Sequence, residues 1–202
     1  MFVSDRYKLL FFEVPRTGSN AITHALSRLD PESPTVRKRA ERSHAYLYHV
    51  YDADLVCNNP DYRLVAVHRN PFDRLRSHFK HRQRPKNPNK VKNLSFEQYV
   101  RWVCLGELPF EIGPTMIDKP ISELIPVTAV DHWLRFDNLA QDWRALSLIL
   151  GVNLPKLRLV NASNTDFDAV SEYTPALLEM VIQRFSEDFE IFGYSTDYQC
   201  ST

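Results

Sequence analysis

Apolar positions in this chain alternate between short continuous runs and helically spaced sets. Residues 8–14 (KLLFFEV) form an apolar run closed by Pro15 and Gly18. A strand covered on both faces is nearly all apolar, so this run predicts a buried strand. In SNAITHALSRL, Ile22, Ala25, Leu26 and Leu29 recur at helical spacing, with Ser19 or Asn20 able to cap. Residues 62–68 (YRLVAVH) predict a second buried strand. It runs into Arg69-Asn70-Pro71 and then PFDRLRSHF, where Phe72, Leu75 and Phe79 mark a helical face and Pro71 suits the first helical turn. The unit strand, tight turn, helix therefore occurs twice.

The remainder extends this pattern. Residues 30–42 are polar and basic and read as loop. Ser95 to Gln98 has capping-box spacing and starts a helix. Residues 109–126 read as irregular, and residues 127–136 contain a strand ending in WLRF. Residues 137–150 form a helix closed by Gly151, and Thr174-Pro175 starts a last helix through about Phe189. Strands alternating with helices imply an α/β domain around a mainly parallel sheet. There is no internal repeat and no linker, so a single domain over residues 1–202 is expected.

Composition narrows the function classes. The chain has 202 residues, 44% of them apolar, with 25 basic and 25 acidic side chains. That balance gives no global field pointing to nucleic acid or membrane, so any anion site must be local. Cys57, Cys104 and Cys200 are odd in number and widely spaced, neither a disulfide framework nor a zinc pattern. They suit a reducing compartment. The first residues carry no secretory leader, and the run Leu9–Phe12 is too short to span a bilayer. A cytoplasmic protein without a membrane anchor is expected.

Ligands of open α/β sheets bind beyond the carboxyl ends of strands. The turn Pro15-Arg16-Thr17-Gly18-Ser19-Asn20 lies at such an end and opens a helix. Helix N-termini offer free N–H groups and partial positive charge to anions. Gly18 permits close backbone approach, Arg16 adds a fixed charge, and Thr17, Ser19 and Asn20 add neutral donors. The nucleoside-triphosphatase motif G-x-x-x-x-G-K-[ST] is absent, so no magnesium-holding Lys-Ser/Thr pair is present. Taken alone, this turn is equally a plain strand–helix turn with a solvated Arg16. In the second unit, Arg69 ends a strand and Ser77 follows about two helical turns in. An arginine fork with a hydroxyl suits phosphate, although singly each residue also reads as an ion-pair partner or a neutral helix position.

Four segments together carry a resemblance. PRTGSNAI resembles the 5′-phosphosulfate-binding loop of the PAPS-dependent sulfotransferases, whose donor is 3′-phosphoadenosine 5′-phosphosulfate (PAPS). VAVHRNPFDRLRSHF resembles their 3′-phosphate-binding segment, with its Arg, its Pro-Phe-x-Arg and a Ser eight positions after the Arg. WLRFDNL resembles the strand ending in Phe-Glu-Asn-Leu, and DFEIFGY the closing Asp-(Phe/Tyr)-x-x-(Phe/Leu)-Gly-Tyr. The likeness is to the compact branch that includes carbohydrate sulfotransferases, and it covers nearly the whole chain.

The resemblance implies a P-loop-like three-layer α/β fold with a central, mainly parallel sheet flanked by helices. It implies transfer of a sulfuryl group from PAPS, leaving 3′-phosphoadenosine 5′-phosphate (PAP), to an acceptor hydroxyl on a carbohydrate or other small molecule, without a metal. Arg16, Thr17, Gly18, Ser19 and Asn20 would hold the 5′-phosphosulfate, and Arg69 and Ser77 the 3′-phosphate. Arg16 stands where the family usually has lysine, and would stabilise charge on the leaving oxygen. Asn161 to Asn164 resembles the family's Asn-x-Ser. Of the seven histidines, His44 in RSHAYLYHV resembles the residue placed as acceptor base, a task that the near-neutral pKa of a histidine side chain suits. His49 and Glu13 are reserves, His68 reads as structural, and His24 as packed or solvated.

The basic stretches 37–42 and 80–92 could guide an anionic acceptor, or be solvated loops. Tyr46, Tyr48, Tyr51, Trp102 and Trp133 could stack on a sugar, or fill the core. The alternatives to sulfuryl transfer are a P-loop kinase-like phosphotransferase and a non-catalytic nucleotide- or nucleic-acid-binding protein. The partner expected is a hydroxyl-bearing acceptor, not nucleic acid.

Overall fold

The computed structural model describes residues 1–33, 52–83, 94–106, 116–158 and 173–198. It contains a four-stranded sheet of β1 (Phe2–Ser4), β2 (Leu9–Phe12), β3 (Arg63–His68) and β4 (His132–Arg135), in that spatial order. β1 pairs antiparallel with β2, Phe2 opposite Phe11; β2 to β3 and β3 to β4 are parallel, with Phe11 opposite Val65 and Val67 opposite Leu134. The sheet is thus mixed but mainly parallel and is flanked by helices, the α/β arrangement expected. The helices are α1 (Ser19–Leu29), α2 (Ala53–Cys57), α3 (Pro71–Arg82), α4 (Phe96–Leu105), α5 (Ile121–Leu124), α6 (Leu139–Leu150), α7 (Pro175–Arg184) and α8 (Ser186–Phe192).

The chain divides into two compact units interleaved in sequence. One comprises Met1–His68 and Leu124–Ala162, the other Arg69–Glu123 and Ser163–Thr202. In the first, Ile22, Ala25 and Leu26 of α1 and Trp143 and Leu146 of α6 pack with Phe11, Val65, Val67 and Leu134. These sheet residues alternate along their strands, so they share one face. Leu10, Phe12, Leu64 and Ala66 point to the opposite face and are buried too, which explains the unbroken apolar runs. Carboxylates hold the sheet's loose ends. Asp131 accepts from the Leu64 N–H at 2.7 Å, and Asp142 from the Arg135 N–H at 2.7 Å.

Among the described residues the second unit is helical. Phe72, Leu75 and Phe79 of α3 pack with Phe96, Tyr99, Val100 and Val103 of α4, and with Leu177, Val181, Phe185 and Phe189 around α7 and α8. The Ser95–Gln98 capping box forms as its spacing predicted.

Four expectations change in detail. α1 is capped by Gly18 in left-handed conformation rather than by a Ser19 or Asn20 side chain, because the tight turn demands positive φ there. The last helix is broken at Phe185 into α7 and α8, so that Phe185 and Phe189 both enter the core. The irregular stretch up to Pro126 contains α5, whose leading amides bind Asp188. A short first strand, β1, pairs with β2; its residues are too few for a periodic signal.

Candidate functional site

In the first unit the chain leaves β2 at Phe12 and turns through Arg16 (φ 68°) and Gly18 (φ 80°) into α1. Left-handed residues at 16 and 18, on either side of Thr17, make a sharp reversal, and for an arginine that conformation is uncommon. Such strain is found where surrounding structure enforces it, often at ligand sites. Here the enforcing contacts are visible. The Thr17 and Ser19 hydroxyls both donate to the Val14 carbonyl, at 2.9 and 3.0 Å. Both residues are buried.

This alters the expected roles of Thr17 and Ser19. Their protons are spent on tying the turn together, so each keeps only lone pairs for anything else. Donors for an anion then come from the backbone N–H groups that open α1, from Arg16 and from Asn20. Asn20 is exposed and Arg16 half-buried. The first turn of α1 has no acidic residue and its cap supplies no side-chain hydrogen bond, as a helix end that receives an external anion requires.

Gly18 is fixed by a second contact. A Cβ built there would lie 3.0 Å from Phe136 Cε2, 3.1 Å from Phe136 Cδ2 and 3.6 Å from Leu139 Cδ2. Phe136 and Leu139 belong to the WLRFDNL segment. They follow β4, and Asp142 holds that corner by accepting from the Arg135 N–H and from Asn138 Nδ2 at 2.9 Å. Two of the four sequence motifs therefore meet across one glycine.

In the second unit Arg69 and Asn70 lead into α3. The Asn70 side chain accepts from the Phe72 N–H at 3.0 Å and Pro71 occupies the first turn. Arg69 and Ser77 are both half-buried. The helix between them is strongly anchored. Tyr173 donates from its hydroxyl to the Phe72 carbonyl at 2.9 Å, and Tyr198 donates to Asp73 Oδ1 at 2.9 Å. Arg74, 1% exposed, donates to the carbonyls of Lys119 (2.9 Å) and Met116 (3.0 Å) and faces Asp188 at 3.9 Å. Asp188 is fully buried and accepts from the Ile121 N–H at 2.8 Å. Burial pushes its pKa up, while Arg74 and the amides oppose this. Arg74 comes from the Pro-Phe-x-Arg motif and Asp188 from DFEIFGY, so the other two motifs also pair with each other.

The candidate bases fall out unevenly. His44 and His49 lie outside the described residues, as do Tyr46, Tyr48, Tyr51, Asn161, Ser163 and the basic stretch 37–42. Of the stretch 80–92, residues 80–82 end α3, and residues 84–92 lie outside the described residues. Glu13 is buried at 1% exposure and His24 is exposed on α1. His68 is buried edge-on to Trp133, ring centroids 6.0 Å apart, and burial with the nearby Arg135 charge lowers its pKa to about 4. It is neutral at ordinary pH. Trp102 packs against the helical core. Tyr173, Asp188 and Tyr198, which anchor α3, go beyond the sequence expectations; only Asp188 carries a sequence signal, its place in a motif.

Among the described residues no three His, Cys, Asp or Glu side chains cluster to hold a metal ion, and no helix is long and apolar enough to cross a membrane. A mainly parallel sheet flanked by helices, with strands β2 and β3 each turning directly into a helix, defines an α/β protein. The sequence matches the Sulfotransferase family over residues 1–195, and the chain belongs to that family. Comparison with curated proteins gave no match.

Proposed function

We propose that this chain transfers a sulfuryl group from PAPS to an acceptor hydroxyl of a carbohydrate or other small molecule. Family membership supports sulfuryl transfer in general. The observation that carries the finer reading is the turn before α1: a left-handed Arg16 and Gly18, no acid and no side-chain cap at the helix start. That is a seat for a compact anion of modest charge. The 5′-phosphosulfate is assigned to Arg16 through Asn20 and the 3′-phosphate to Arg69 with Ser77.

Transfer of this kind rests on positioning and charge stabilisation. The acceptor oxygen attacks sulfur in line with the bridging oxygen. Arg16 and the α1 amides stabilise charge growing on the leaving phosphate. Arg16 stays protonated and so acts by charge and hydrogen bonding rather than as a proton donor. His44 is assigned the acceptor's proton, by resemblance. The reaction is placed in the cytoplasm, and the acceptor is not nucleic acid.

PAP without magnesium should raise the thermal midpoint of the protein. A shift produced only by ATP with magnesium would favour the phosphotransferase reading and end this one. Arg69→Ala should weaken PAP binding strongly, and His44→Ala should abolish turnover while sparing PAP binding.

A further inference from the structure

α3 ends in three basic residues. Lys80, His81 and Arg82 fill its last turn, where the partial negative charge of the helix end favours cations. Arg82 is half-buried, and its partner is a histidine. Its Nε donates to Nε2 of His78, four residues earlier, at 3.1 Å. A guanidinium N–H only donates, so Nε2 accepts, and the ring proton of the neutral imidazole is then on Nδ1. Nδ1 faces the Tyr99 hydroxyl of α4 at 2.5 Å. His78 is 4% exposed and Tyr99 is fully buried. Their rings are stacked with centroids 5.8 Å apart, and Tyr99 belongs to the helical core with Phe79 and Phe96.

The series Tyr99, His78, Arg82 therefore orients a half-buried guanidinium from inside the core, and it uses only Nε. Among the described residues no carboxylate pairs with Arg82, and residues 80–92 contain no Asp or Glu. The fork made by Nη1 and Nη2 is thus oriented without being neutralised. A planar pair of donors in that state fits two oxygens of a carboxylate or sulfate. Arg82 lies five residues beyond Ser77 on α3, about 140° round the helix, so its oxyanion is not the 3′-phosphate assigned to Ser77. The donor's phosphosulfate and 3′-phosphate both have other residues assigned to them. A third oxyanion site serves the other substrate.

We propose that Arg82, oriented by His78, binds a carboxylate or sulfate group of an acidic carbohydrate acceptor. That the oxyanion belongs to the acceptor rests on the proposed sulfuryl transfer to a carbohydrate. His78 is a positioning residue in this site, and Arg82 makes the contact.

The test is calorimetry on the full chain saturated with PAP, which keeps sulfate groups out of the donor site. The probes are a tetrasaccharide of alternating hexuronate and sulfated hexosamine, a neutral tetrasaccharide, and inorganic sulfate. The acidic tetrasaccharide should bind and the neutral one should not. Arg82→Gln should weaken the acidic tetrasaccharide about tenfold, the scale of one hydrogen bond to a charged group. His78→Phe keeps the charge of Arg82 but releases its Nε, and should weaken the same probe about threefold, because the side chain must then be ordered on binding. Should His78→Phe not fold, Arg82→Lys, which keeps the charge and lacks the fork, serves the same purpose. PAP affinity should change less than about twofold in each variant. Equal binding of acidic and neutral tetrasaccharides would overturn the proposal, as would an unchanged affinity in Arg82→Gln. Loss in Arg82→Gln with none in His78→Phe or Arg82→Lys would show a plain charge and overturn the oriented fork. Inorganic sulfate binding as tightly as the tetrasaccharide would overturn the assignment to an acceptor. Failure of PAP to bind the unaltered protein would end the transferase reading and the acceptor role with it, whereas normal PAP binding with no effect of Arg82→Gln would end this proposal alone.

Discussion

Replacing Gly18 with alanine tests the geometry of the first turn directly. Two costs arise, and they can be separated. The backbone sits at φ 80°, where a Cβ costs about 1–2 kcal/mol. The new methyl would also stand 3.0 Å from the Phe136 ring, tighter than most packed carbons sit, so the ring must shift. Phe136 packs against the core of the first unit and follows the Asp142-held corner, so it gives way only at a cost, about 1–3 kcal/mol for overpacking. The expected total is about 2–5 kcal/mol, read as a lower urea midpoint with unchanged slope. Phe136→Leu opens the space but leaves φ as it is. In a double-mutant cycle, Gly18→Ala should therefore cost less in the Phe136→Leu background by about 1 kcal/mol or more. A Gly18→Ala loss under about 0.5 kcal/mol would refute the left-handed turn. A full loss unaffected by Phe136→Leu would refute the steric half of the reasoning.

Asp188→Asn should destabilise by about 3–5 kcal/mol, since it leaves Arg74 charged and buried without its counter-ion; thermal unfolding reads this, and a neutral result would contradict the ion pair. His68 makes stability depend on pH. Its folded pKa is about 4 against 6.5 unfolded, so between these values the unfolded chain binds the proton and the folded one does not. Stability should fall as pH drops from 6.5 towards 4, by up to about 3 kcal/mol, and His68→Leu should flatten that slope in urea titrations; an identical slope would shift the effect to other groups. Burial pushes the Cys104 thiol up to about 12 while Cys57 is exposed. Iodoacetamide should therefore label Cys57 well before Cys104 in the native protein, and the reverse order would contradict the packing of α4.

How much of this was legible beforehand depended on the kind of signal. β2 and β3 showed themselves as apolar runs because both faces are buried. α3 was marked at its start by Asn70-Pro71, and α4 by its capping box. These are local rules, and locally determined structure is readable from sequence. The cap of α1 differs from the expected Ser19 or Asn20 because Gly18 takes the left-handed cap position and the Ser19 hydroxyl donates to the Val14 carbonyl within the turn, which outweighs its capping preference. At the turn before α1 the residue types suggest anion donors, but the hydrogen bonds that these side chains actually make are not legible from the sequence. Thr17 and Ser19 looked like ligand donors and turn out to hold the turn. Tyr198 carried no pattern at all, since its partner Asp73 lies 125 residues away.

The four motifs that carry the family likeness also acquire a physical logic. A motif search treats them as independent marks along a line. In the folded chain PRTGSN is paired with RFDNL through Gly18 and Phe136, and Pro-Phe-x-Arg with DFEIFGY through Arg74 and Asp188. Each pair joins one segment that can meet an anion with one that never needs to. The supporting segment in each case blocks a cheaper alternative: Phe136 crowds any side chain at position 18, and Asp188 pairs with the buried Arg74. Arg69, lying outside that buried pair, is then the arginine of this segment assigned to phosphate. The two arginines of HRNPFDR differ in burial and partners rather than in chemistry. Exchanging Asp188 for a neutral residue should therefore lower stability far more than PAP affinity per folded molecule, whereas Arg69→Ala should do the reverse.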